Sequence, residues 1–113
     1  MARYRRNFIA GGTFFFTVKL ADPKSRLLVE HIDLLRAAYM DVQKQYPFET
    51  VAVCVLPNHI HAIWTLPLDD ADYSLRWRLI KTKFSAHFPR AENLSASKQR
   101  RNERGIWQRR FYE

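Results

Sequence analysis

Residues 12–20 read GTFFFTVKL, aromatic and β-branched, and the run stops at Ala21-Asp22-Pro23. Such a run closed by a turn signal predicts a first strand. Ser25 stands where it can cap a helix. Beyond it Leu28, Ile32, Leu35, Tyr39 and Val42 recur at steps of four, three, four and three, which draws one apolar stripe. Pro47 disfavours helical geometry in the residue before it, so this helix should end near Tyr46. Residues 50–56 and 60–66 predict a second and a third strand. The short Pro57-Asn58 connection makes them an antiparallel hairpin.

Asp69-Asp70-Ala71-Asp72 is acidic and suited to capping. It precedes a second amphipathic helix with Tyr73, Trp77, Ile80, Phe84 and Phe88 on one side, closed by Pro89. Residues 90–104 are polar and predict a mobile loop rather than a linker to another domain. Residues 106–112, IWQRRFY, predict a short last strand. The order β-α-β-β-α-β in one small α+β domain points to a ferredoxin-like sandwich: two helices on one face of a four-stranded antiparallel sheet.

Composition narrows the classes of function. The 113 residues fit one domain, and 47% hydrophobic residues suffice for a core, which excludes wholesale disorder. The longest apolar run, residues 51–56, is far short of the roughly 18 needed to span a bilayer. A signal peptide is not expected either, because Gly11-Gly12-Thr13 and Lys19 interrupt the apolar stretch it needs. The single Cys54 cannot close an internal disulfide, and its apolar run predicts a core position. A reducing cytoplasm follows as the expected setting.

The placement of charge says more than its total. Residues 1–75 carry eight basic and eight acidic groups, whereas residues 76–113 carry eleven basic and three acidic ones. The whole net charge of +8 therefore belongs to the last third. A one-sided basic segment predicts a polyanionic partner, nucleic acid before membrane. Arg76, Arg78, Lys81 and Lys83 flank the second helical stripe and can meet phosphates, though a solvated helix face explains them too. Arg100, Arg101, Arg109 and Arg110, in a polar loop and an exposed terminal segment, are better placed for DNA. Trp107 suits either a stacked base or the core, and His31 and His87 have no partner at useful spacing.

His59 and His61 are two apart in the third strand, so their side chains leave the same face of the sheet. Ile60, Ala62 and Trp64 take the other face, towards the helices. Neutral imidazoles side by side can hold a divalent cation. Two unrelated surface histidines would show the same spacing, and the spacing alone leaves both open.

The segment Leu56-Pro57-Asn58-His59-Ile60-His61-Ala62-Ile63-Trp64 resembles the His-hydrophobic-His motif of single-tyrosine transposases. Three further segments resemble one branch, the REP-associated tyrosine transposases. They are Tyr4-Arg5-Arg6 with the following Gly11-Gly12-Thr13-Phe14-Phe15-Phe16-Thr17, then Ser74-Leu75-Arg76-Trp77-Arg78-Leu79-Ile80-Lys81, and finally Gly105-Ile106-Trp107-Gln108-Arg109-Arg110-Phe111-Tyr112-Glu113. They occur in the family's order over nearly the whole chain.

The resemblance implies single-stranded or hairpin DNA as partner, with Arg5 and Arg6 clamping it. It implies Mg²⁺ or Mn²⁺ held by His59 and His61, and metal-assisted strand cleavage and rejoining through a 5′-phosphotyrosine, the chemistry of DNA transposition. The family's nucleophilic tyrosine lies on a helix after the Trp-Gln-Arg-x-Phe segment, with a further metal ligand behind it. Residues 1–113 are thus expected to form a single transposase-like domain without that helix. Tyr112 falls where the family places a structural aromatic, which makes it a poor substitute nucleophile. A non-catalytic DNA-binding remnant is the alternative. A small ribosome-associated basic protein would leave the two histidines unexplained. The expected location is the bacterial cytoplasm, at the nucleoid when DNA is bound, and monomer and homodimer both stay open.

Overall fold

Alternation decides how the first strand seats itself. The structure, a computed structural model, describes residues 9–89 and 105–112, of which 109–112 by backbone alone. In β1 (Thr13–Leu20) Phe14, Phe16, Val18 and Leu20 are buried, while Thr13, Phe15, Thr17 and Lys19 face away from the core. The chain continues through α1 (Leu27–Glu30), α2 (Ile32–Gln45), β2 (Glu49–Val55), β3 (His59–Thr65), α3 (Tyr73–Ser85) and β4 (Trp107–Tyr112). Among the described residues the strands form one antiparallel four-stranded sheet in the order β2-β3-β1-β4, the ferredoxin-like arrangement that the pattern predicts.

The helices bury one face of this sheet. Leu28, Leu35, Ala38 and Val42 from α1 and α2, and Tyr73, Trp77, Ile80 and Phe84 from α3, share a core with the inward residues of β1 and β3. At its centre Trp64 is sandwiched between Trp77, at 4.4 Å between rings, and Phe48, at 4.0 Å. The Trp64 indole N–H donates to the Tyr39 hydroxyl at 2.9 Å, which in turn bonds Thr50. A buried polar edge is thereby satisfied inside an aromatic core. Asp72 caps α3 by accepting the Leu75 N–H at 3.1 Å.

Three details differ from the sequence pattern, and a fourth settles what it left open. The first helix breaks at His31, which leaves helical geometry (φ −122°, ψ 42°) with its ring against Phe88. The helix that follows Asp72 ends at Ser85, and residues 86–88 close in tight turns before Pro89. Cys54 is exposed rather than core, because β2 is an edge strand whose Val51 and Val53 also keep about half of their surface in solvent, 53% and 48%. Trp107 resolves to the core, 8% exposed, with its ring edge-on to Phe84. The loop expected at residues 90–104 lies outside the described residues.

Candidate functional site

Burial alternates strictly along β3: Ile60, Ala62 and Trp64 are buried, and His59, His61, Ile63 and Thr65 between them are half-buried. Both histidines therefore stand on the face without helices, their rings 4.8 Å apart and nearly perpendicular. In the sheet register His61 lies between Thr17 on one side and Cys54 on the other, while Lys19 lies opposite His59. The Thr17 hydroxyl is 3.1 Å from His61 Nδ1, and the Phe15 ring stacks on the His61 imidazole at 5.8 Å.

Asn58 fixes the state of the first histidine. Its side-chain NH₂ donates to the Pro23 carbonyl at 2.9 Å, which turns its amide oxygen towards His59 Nδ1 at 2.7 Å. An amide oxygen only accepts, so the His59 proton sits on Nδ1 and the lone pair on Nε2. Burial, then the neighbouring His61 and Lys19 charges, hold the His59 imidazolium below its usual 6.5. At neutral pH this side chain is an uncharged nitrogen donor with a set orientation, the state a metal ligand needs. The pair borders a cleft of about 380 Å³ lined by Thr17, Lys19, Leu20, Pro23, Asn58, His59, His61 and Gln108. Among the described residues no cluster of three or more His, Cys, Asp or Glu could hold a metal ion. Two imidazoles fit a hard divalent ion as part of its shell, with phosphate and water oxygens completing it.

The basic residues expected to meet DNA separate in space. Arg76 is 1% exposed, and all five of its guanidinium donors are engaged. They form a fork on the Asp70 carboxylate, at 3.2 and 2.9 Å, and bonds to the Tyr46, Pro47 and Asp72 carbonyls. Nothing remains to offer a phosphate, so Arg76 is a structural clamp and not a DNA contact. Residue 76 lies inside the apolar stripe of 73, 77 and 80, not beside it, which marks a position facing the core but does not name its partner. Lys81 turns to β4, donating to the Gln108 carbonyl at 2.8 Å with Trp107 beside it. Arg78 is exposed and Lys83 half-exposed, but both belong to the helix layer, across the sheet from the histidines. Arg109 and Arg110 lie in β4, the strand hydrogen-bonded to β1. Arg5, Arg6, Arg100 and Arg101 lie outside the described residues. Residue 112 pairs with Thr17, in the cross-strand row of His61.

Residue-type reasoning passed over Asn58, Thr17 and Lys19 as members of the site. The alternation of β1 was the available signal, since with Phe14, Phe16 and Val18 inward, Thr17 and Lys19 must share the open face.

No protein-family model matches the chain. A Haemophilus influenzae protein described as a REP-associated tyrosine transposase is 43% identical over the whole chain, and the Escherichia coli K12 REP-associated tyrosine transposase is 45% identical. The chain spans 65% and 61% of their respective lengths. A solved structure of a REP-associated tyrosine transposase bound to a REP hairpin superposes with a TM-score of 0.79 at 43% identity, over 99% of this chain and 60% of that one. A Deinococcus radiodurans R1 protein described as a transposase shares the fold, with a TM-score of 0.64 at 17% identity, over 96% of this chain and 82% of that one. At 43–45% identity along its entire length, on a ferredoxin-like sheet with paired histidines on the open face, the chain is similar to the corresponding part of the REP-associated tyrosine transposases.

Proposed function

We propose that these 113 residues are the DNA-binding part of a transposase acting on single-stranded or hairpin DNA, and that the open sheet face takes the strand. One observation carries the proposal: a histidine pair on a helix-free face, one member held by Asn58 with its Nε2 lone pair available. The hairpin bound by the related structure supports the choice of DNA. His59 and His61 would hold Mg²⁺ or Mn²⁺ against a phosphate. When bound, the ion would neutralise charge on the non-bridging oxygens. Thr17 orients His61, and Lys19 adds positive charge beside His59.

In the longer family protein a tyrosine oxygen would displace the 3′ oxygen from phosphorus, leaving a 5′-phosphotyrosine and a 3′-hydroxyl that can reverse the step. The linkage conserves the bond energy for rejoining. A role in binding without cleavage is favoured by one observation: among the tyrosines whose side chains are described, Tyr39 and Tyr73 are committed to the helix layer, and Tyr46 ends α2. The setting that suits this function is the bacterial cytoplasm. Among the described residues no helix is long and apolar enough to cross a membrane.

A salt titration tests the proposal. If about five basic groups of the last third each neutralise a phosphate of a single strand, log K should fall against log[salt] with a slope of roughly −3.5. Changing Arg109 and Arg110 together to Ala should flatten the slope by about one unit, because β4 borders the strand that carries Thr17 and Lys19. A slope indistinguishable from zero would remove DNA as the partner.

A further inference from the structure

We infer that Phe15 is a stacking platform for one nucleobase of a single strand whose neighbouring phosphate sits at His59 and His61. The inference rests on the function proposed above. Phe15 is 50% exposed, while its neighbours Phe14 and Phe16 on the same strand are 6% and 0% exposed. Its ring lies on the His61 imidazole at 5.8 Å with 29° between planes, so a π surface continues directly from the histidine pair. Across the sheet Phe15 lines up with Ile63 and then Ala52, neither of them aromatic, and half of the Phe15 surface stays in solvent.

The size of this patch selects its occupant. Polar pairs bound it at both ends: the Thr13 and Thr65 hydroxyls, 2.8 Å apart, on one side, and Thr17 with His61 on the other. What remains is one aromatic ring with Ile63 and Ala52 beside it. A stable protein interface buries about 800 Å² on each partner around a largely apolar core, well beyond this row. One flat base matches it. Aromatic rings on open sheet faces stack unpaired bases with little regard to sequence, because every base has a π face.

The experiment uses DNA hairpins with a single-stranded flank carrying 2-aminopurine at successive positions, since stacking quenches its fluorescence. Wild-type protein should quench the probe at one flank position. Phe15→Ala should abolish that quenching and weaken binding about 5- to 100-fold. The slope of log K against log[salt] should not change, because no phosphate contact is removed. Phe15→Trp should restore quenching, whereas Phe15→Leu, apolar but without a π face, should behave like Ala. All three replace an exposed side chain, and matching thermal melts show that the fold is kept. Phe15→Ala binding and quenching like the wild type would overturn the inference and leave the proposed function standing. A wild type that binds no hairpin at all would overturn both. A wild-type dimer that Phe15→Ala converts to monomer would assign the face to a second copy of the chain and overturn the inference.

Discussion

Arg76→Ala is expected to destabilise the fold by about 3–5 kcal/mol, the range for removing one partner of a buried ion pair. The side chain is 2% exposed, and its guanidinium ties the end of α2, through the Tyr46 and Pro47 carbonyls, to the loop before α3, through Asp70 and the Asp72 carbonyl. Alanine would strand three carbonyls and a carboxylate and leave a cavity beside Trp77. For a domain this size the midpoint of thermal unfolding should drop by roughly 15–20 °C. Arg76→Lys should recover only part, since an ammonium offers three rotating donors for a planar fork of five.

Asp70→Asn should cost less, about 2 kcal/mol, because Asp70 keeps 35% of its side chain in solvent. Its effect carries a pH signature. Hydrogen bonds from Arg76, with a further one from the Asp72 amide, hold the Asp70 carboxyl below its usual 3.8. A carboxyl whose folded value is depressed contributes stability that is fully present above the unfolded value and lost as pH falls through the folded one. The difference between wild type and Asp70→Asn, measured by urea unfolding, should therefore be constant above about pH 5 and shrink below pH 4. A difference that grows on acidification would contradict the clamp.

Arg76 also marks where sequence pattern stops being informative. The apolar stripes and the two-residue alternation yield the element order, the sheet type and the shared face of His59 and His61, because each depends on local periodicity. An arginine inside a stripe has the same letter whether it meets phosphate or a carboxylate six residues earlier. Only the packed loop distinguishes them. Cys54 shows the opposite error: an unbroken apolar run suggests burial, but strand order decides it, and β2 is at the edge. The bond that joins Pro23 to Asn58, and through it to His59, bridges a separation of 35 residues and has no periodic signature at all.

The 113-residue polypeptide should form no covalent adduct with hairpin DNA, even with Mn²⁺. In-line attack needs the nucleophile about 3–3.5 Å from phosphorus, and an ångström of misplacement costs about a hundredfold in rate. Tyr39 and Tyr73 are packed on the far side of the sheet, and Tyr46 ends α2. Residue 112 shares the row of His61 but stands two strand spacings away, about 9–10 Å. The family resemblance places the nucleophile on a helix after this segment. Labelled hairpin incubated with protein and run on a denaturing gel should show no slow-migrating band while binding persists. A band abolished by Tyr112→Phe would make Tyr112 the nucleophile and the chain a complete catalyst.

The most direct test of the central claim is to map the bound DNA by nuclear magnetic resonance on isotope-labelled protein. Titration with a hairpin bearing a single-stranded flank should shift the signals of Thr17, Lys19, His59, His61 and Ile63, which share the helix-free face. Arg78, Thr82 and Lys83, in the helix layer across the sheet, should stay nearly unmoved. Shifts confined to α2 and α3, with the histidine face silent, would contradict the account.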